Sequence, residues 1–90
     1  MSMALIDLAK NLENGNIGAK DFTLQFFSLW RQERDNGQMA KDEKPVAECL
    51  REVFALADCF TEGPKENDSD LNAAELKQMI RANLSNHGFL

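Results

Sequence analysis

The sequence predicts an all-α protein, a single-domain antiparallel four-helix bundle. Four segments repeat apolar residues at the spacing of an amphipathic helix, and short connections separate them. No window alternates apolar and polar residues over enough β-branched positions to indicate a strand. A chain of 90 residues suits one domain with a modest core, so a deep substrate cavity is not expected.

The first helix is predicted over residues 4–14, where leucine and alanine recur on one face and Gly15 follows as a typical helix terminator. The second helix is predicted to begin near Gly18 and to end between residues 31 and 37. Its start is supported by Ile17 and Phe22, which have the spacing of a hydrophobic staple.

The apolar surface of the second helix is wide, because Leu24 and Phe27 fall outside the face that carries Phe22, Phe26 and Trp30. Two interpretations stay open for this extra surface. Leu24 and Phe27 either contact a second neighbouring helix or form a patch for a partner or a second copy.

Residues 38–44 are predicted to be a polar loop, and Pro45 suits the first turn of the third helix. From there an apolar arc of about 160° runs from Val46 to Phe60, taking ~100° per residue. Gly63 and Pro64 then interrupt the helix. Asp58 is expected on the solvent side at its end, where a negative charge opposes the helix dipole.

The fourth helix is predicted to begin at about Ala73, since Asn72 and Glu75 form a capping-box pattern. Residues 85–90 are expected to fray. His87 lies in this tail, and its side chain is therefore expected to be exposed to solvent, with no acid or cysteine near it in the sequence.

The two cysteines are predicted to be unpaired thiols. Cys49 and Cys59 are ten residues apart on the predicted third helix, a separation of about 15 Å along the axis. A disulfide needs Cα atoms within about 7 Å of each other. Cys49 is expected in the core and Cys59 half-exposed at the surface.

Charge is concentrated in residues 58–75, the acidic segment. It holds six acids and one base, Lys65, for a local net charge of −5, whereas the rest of the chain has nine acids and nine bases. An anionic surface of this kind attracts a basic partner and disfavours direct binding of nucleic acid. The acids of the segment are Asp58, Glu62, Glu66, Asp68, Asp70 and Glu75.

The acidic segment does not indicate a catalytic or metal site. Asp68, Asp70 and Asn72 imitate the start of a calcium-binding loop, but its sixth and twelfth positions hold Ala73 and Met79 instead of glycine and glutamate. The chain has no glycine-rich phosphate loop, and nothing basic lies close in sequence to either cysteine thiol except Arg51. We therefore expect neither an enzyme nor a metal or other cofactor.

Four pieces in order resemble the colicin D immunity protein family. They are MALIDLAK, the second helix ending in WRQER, VFALADCF followed by the acidic loop, and DLNAAELKQMIRANL. The family consists of small cytoplasmic proteins that protect bacteria from their own tRNA-cleaving toxins. The absence of an apolar run of ~18 residues agrees with a protein that does not enter a membrane.

The resemblance implies a bundle that occupies the basic active site of a ribonuclease toxin domain in a 1:1 complex, with carboxylates where tRNA phosphates would lie. It assigns toxin binding first to Asp58 and then to Glu62. We extend the expected site to Phe60 as an apolar anchor and to the acids of the following loop, Glu66, Asp68 and Asp70. The toxin is expected to belong to a bacteriocin or a contact-dependent inhibition system.

The sequence also allows a second interpretation. An acidic helical adaptor or regulator of another basic protein would present the same surface without a toxin. The reading frames beside this gene distinguish the immunity interpretation from the adaptor interpretation, because a neighbouring toxin gene favours immunity.

Overall fold

The computed structural model describes residues 3–37 and 44–90. It contains four helices, α1 (Met3–Asn14), α2 (Ala19–Asp35), α3 (Lys44–Asp58) and α4 (Ala73–Asn86). The predicted all-α four-helix bundle is confirmed. Most of the predicted loop before α3 lies outside the described residues, and α3 already includes its last residue, Lys44.

Local signals in the sequence set the helix ends. Gly15 follows α1 with a φ of 81°, a left-handed conformation in which glycine avoids the strain of a Cβ. Gly18 is the N-cap of α2 in extended backbone. At the start of α4, the Asn72 side chain accepts a hydrogen bond from the Glu75 N–H at 2.8 Å and the Glu75 carboxylate accepts one from the Asn72 N–H at 3.1 Å. The predicted capping box is confirmed.

All four helices contribute to one apolar core. Its largest fully buried side chains include Phe22 and Phe26 from α2, Leu50 from α3 and Ile80 from α4. α4 packs on both α1 and α3, so its two sides contact different helices. The acidic segment runs from the end of α3 to the start of α4, and both of its ends are therefore attached to the core.

The wide apolar surface of α2 has two different environments. Phe27 meets a second helix, because its ring makes an edge contact with Phe54 of α3 at a centroid distance of 5.2 Å. Trp30 also contacts Phe54, at 4.7 Å. Leu24 remains 62% exposed. The neighbouring-helix interpretation is confirmed for Phe27. It is wrong for Leu24, whose side chain stays mostly exposed at the edge of an open groove between α1 and α2.

The end of the chain is more ordered than the predicted fraying. α4 continues to Asn86, and Gly88 then adopts a φ of 81° while the Phe89 N–H donates to the Leu84 carbonyl at 2.8 Å. This pattern is a Schellman-type helix end, in which an apolar residue after the glycine packs back on the helix. Phe89 does so by packing against the core.

The prediction that Phe60 belongs to the third helix is wrong. α3 ends at Asp58, before Gly63 and Pro64, and Phe60 instead forms an isolated β-bridge with Leu71. The Leu71 N–H donates to the Cys59 carbonyl at 2.8 Å, and the Thr61 N–H donates to the Leu71 carbonyl at 2.9 Å. These two hydrogen bonds leave residues 61–70 as a loop whose ends are joined.

Candidate functional site

The acidic segment presents some of its carboxylates and uses others in local structure. Asp58, the last residue of α3, is exposed, as are Glu66 and Asp68. Within the part of the chain that the structure describes, none of these three side chains takes part in an ion pair. We call Asp58, Glu66 and Asp68 the open carboxylates.

The other predicted acids have partners. Lys20, near the start of α2, lies 3.8 Å from the carboxylate of Glu62, and both side chains are more than half exposed. Asp70 accepts hydrogen bonds from the N–H groups of Glu66 at 3.0 Å and Asn67 at 3.1 Å. Glu62 therefore has a partly balanced charge, and Asp70 helps to shape the loop.

Lys65, the single base of the segment, pairs with Glu75. Its hydrogen bond and the Asn72 N–H hold the pKa of Glu75 below its ordinary value. The same glutamate belongs to the capping box of α4, so Lys65 connects the middle of the loop to a helix end. The loop is thus constrained by the bridge at its ends, by Asp70 and by this ion pair.

The hydrogen bonds that Asp70 accepts have a pH-dependent consequence. The N–H groups of Glu66 and Asn67 lower the pKa of Asp70 from its ordinary value of 3.8. A carboxyl with a lowered folded-state pKa stabilises the fold above its ordinary pKa, and this contribution disappears as pH falls through the folded-state value. We predict that Asp70→Ala reduces the stability difference between neutral and acidic pH, measured as the urea midpoint from about pH 7 to about pH 2.

Asp68→Ala is the matched control for this prediction, because Asp68 is an exposed aspartate in the same loop with no described hydrogen bond. The control should follow the wild-type pH dependence. If the Asp70→Ala midpoint falls with acid as steeply as that of wild type, the proposed role of Asp70 is wrong.

Phe60 lies at one side of the acidic segment in a half-buried position against the core. With Thr61 and Glu62 it lines an open groove that also includes Lys20 of α2 and Ala73 of α4. Phe60 is thus only partly available to a partner, because the β-bridge fixes its backbone and the core contacts part of its ring.

A polar network that the sequence did not predict connects α3 to α4. The Cys49 thiol donates to Asn83 Oδ1 at 3.1 Å, and Asn83 Nδ2 donates to Glu52 Oε2 at 2.9 Å. His87 Nε2 contacts the same Glu52 oxygen. The prediction of an exposed His87 without a nearby acid is wrong, because folding brings together two residues that are 35 positions apart.

The network is structural in character. Burial, together with the negative charge of Glu52, raises the pKa of the Cys49 thiol to about 11. A thiol with this pKa stays protonated at neutral pH and is a poor nucleophile. Both cysteines are free, with Cys49 buried and Cys59 half-buried as predicted.

We predict that Asn83→Ala lowers the free energy of unfolding by about 1–3 kcal/mol, since it removes both hydrogen bonds of a buried side chain and leaves the Cys49 thiol without its acceptor. Urea unfolding measures the effect. Asn86→Ala, an exposed substitution one turn later in α4, should change stability by less than about 0.5 kcal/mol. Equal unfolding midpoints for the two variants would contradict the prediction.

Other kinds of site find little support in the described residues. Within residues 3–37 and 44–90, no group of three His, Cys, Asp or Glu side chains is arranged to hold a metal ion. None of the described helices combines the length and apolar character needed to cross a membrane.

A comparison with known protein families gives one finding. The chain matches the model of bacterial self-protective colicin-like immunity over residues 1–86, which includes all four helices and the acidic segment. No curated protein matches the chain. Immunity proteins of this kind bind and inhibit a toxin and are not enzymes. The chain therefore belongs to the bacterial self-protective colicin-like immunity family.

Proposed function

We propose that this immunity protein inhibits a tRNA-cleaving ribonuclease toxin by covering its basic active site with the acidic segment in a 1:1 complex. The observation that carries the proposal is the group of open carboxylates, which are exposed and have no cation partner among the described residues. An enzyme that cleaves tRNA must attract phosphates, so its active site offers the positive charge that such a surface needs.

The proposal assigns different roles to the predicted site residues. Asp58, Glu66 and Asp68 provide the negative charge that contacts the toxin. Glu62 contributes less, because Lys20 lies beside it. Asp70 acts indirectly, since both of its described hydrogen bonds go to the backbone of the loop. Phe60 supplies apolar contact only from the exposed part of its ring.

The constrained loop supports tight binding. A partner that must order a flexible segment loses about 0.5–1.5 kcal/mol for each side chain that it immobilises. Here the bridge between Phe60 and Leu71, the Asp70 hydrogen bonds and the Lys65–Glu75 pair already restrict the backbone. The open carboxylates are therefore presented on a largely preorganised surface.

Electrostatic steering gives the surface a kinetic advantage. An inhibitor must meet the toxin before the toxin meets tRNA, and complementary charge raises association rates to about 10⁸–10⁹ M⁻¹s⁻¹ at low salt. Because tRNA is in the cytoplasm, the chain would work there. The acidic adaptor that the sequence also allowed would use the same surface, but the family match favours immunity.

The experiment is a tRNA cleavage assay with the toxin domain encoded beside this chain. Cleavage should stop once one equivalent of this chain has been added per toxin domain. Excess tRNA should slow formation of the complex. A toxin that still binds tRNA while inhibited would contradict active-site blockade. A toxin that leaves RNA intact but damages DNA or membranes would contradict the tRNA-cleaving assignment.

A further inference from the structure

An apolar groove lies between α3 and α4, and none of the open carboxylates lines it. Ala55, Leu56 and Cys59 line it from α3 and the residue just after, and Met79 and Ala82 line it from α4. Met79 is one of the few large apolar side chains that remain exposed, at 47%. The groove therefore offers an apolar surface with an adaptable thioether at its edge.

Among the described residues, the one charged side chain that lines this groove is acidic. Glu52 lines it at the end where Asn83 lies, and no lysine or arginine lines it among the described residues. The bases of α4 are on its α1 side: Arg81 Nε pairs with Glu13 of α1 at 3.5 Å, and the Lys77 ammonium lies beside Gly15. The side chains that line the groove thus offer a cationic partner one carboxylate and, among the described residues, no lysine or arginine.

The groove is continuous with the acidic segment. Cys59, which lines it, directly follows Asp58, the first of the open carboxylates. The groove thus begins at the residue that follows Asp58 in the chain, the second residue of the acidic segment. Interfaces commonly place an apolar anchor in a pocket beside charged contacts, and the anchor then carries much of the binding energy.

We propose that the α3–α4 groove receives an apolar side chain from the basic surface of the toxin domain, with Met79 as its main contact. This inference rests on the proposed function and deepens it. Charge governs how fast the two proteins meet, whereas burial of an apolar group governs how slowly they separate. Asp58 and Met79 should therefore affect different rate constants.

The test compares Met79→Gln with Leu24→Gln in binding kinetics against a catalytically inactive form of the toxin domain encoded beside this chain. Both substitutions remove an exposed apolar side chain from a helix, but Leu24 lies on α2, away from the groove. Met79→Gln should increase the dissociation rate constant about tenfold or more, with an association rate constant within about twofold of wild type. Leu24→Gln should leave both constants within about twofold.

Three results would overturn the inference in distinguishable ways. Wild-type dissociation kinetics for Met79→Gln would reject the groove and leave the proposed function intact. Failure of the wild-type chain to bind the toxin domain would reject both. A chain that sediments as a dimer, and as a monomer once Met79 is replaced, would assign the groove to a second copy instead of the toxin.

Discussion

Reversing the charges of Asp58 and Asp68 together should abolish protection against the toxin while the four helices stay folded. Both side chains are exposed and take part in no ion pair in the described part of the chain, so replacing them breaks no described ion pair. At Asp58 a lysine also suits the helix dipole better than the native acid does, because the residue ends α3. Stability should therefore stay the same or rise slightly.

The expected loss of affinity is large. Close interfacial charge pairs contribute about 1.5–7 kcal/mol in coupling energy, and a reversed charge adds repulsion. We expect the dissociation constant to rise at least about 10³-fold, which corresponds to about 4 kcal/mol. Titration calorimetry with the inactive toxin domain measures the affinity, and survival of cells that produce the active toxin measures protection.

The matched control is the pair Asp7→Lys and Asp35→Lys. It changes net charge by the same amount at exposed positions on α1 and α2. Protection by the control variant should be close to that of wild type. If both double variants lose protection equally, total charge decides binding and the acidic segment has no special role. Full protection by Asp58→Lys with Asp68→Lys would reject the site.

Phe26→Ala should strongly destabilise the bundle. Phe26 is fully buried at the centre of α2, and its ring contacts Phe22 at a centroid distance of 5.5 Å and Trp30 at 5.7 Å. Replacing a buried phenylalanine with alanine costs about 3–5 kcal/mol. A domain of this size has a total stability of about 5–13 kcal/mol. At about 4–8 °C per kcal/mol, the melting temperature should fall by about 15 °C or more.

Leu24→Ala, two residues earlier on the same helix, is the control for this prediction. Because Leu24 is mostly exposed, the substitution should change the free energy of unfolding by no more than about 0.5 kcal/mol. Thermal and urea unfolding measure both variants. Similar melting temperatures for the two would contradict the described packing of α2.

The helices could be predicted from sequence because their signals are local. Gly15, the Gly18 cap and the capping box of Asn72 and Glu75 act within a few residues, and apolar spacing identifies the buried face of each helix. The sequence predictions were wrong where a contact between residues far apart in the sequence sets the local structure. Phe60 lies outside the helix and forms a β-bridge with Leu71. The C-terminal residues are ordered because Phe89 packs against the core.

The sequence predicted that the candidate site is acidic, but it did not predict which acids are open to a partner. The concentration of acids is a property of the sequence, but the separation of open carboxylates from structural ones depends on the folded loop. Asp70 accepts hydrogen bonds from the backbone N–H groups of Glu66 and Asn67. No rule of residue spacing predicts this role for Asp70 and not for Asp68. For the polar network, the one available signal was Asn83, which lies at a helical interval from Ile80 on the buried face of α4.

In the proposed function, negative charge on one surface brings the chain to a cationic toxin. The most direct measurement of this attraction is the association rate constant of the wild-type chain with the inactive toxin domain as a function of ionic strength. We predict a fall of at least about tenfold between ~20 and ~200 mM salt, with a much weaker dependence once Asp58 and Asp68 are lysines. An association rate that is insensitive to salt, or that rises with it, would contradict the account.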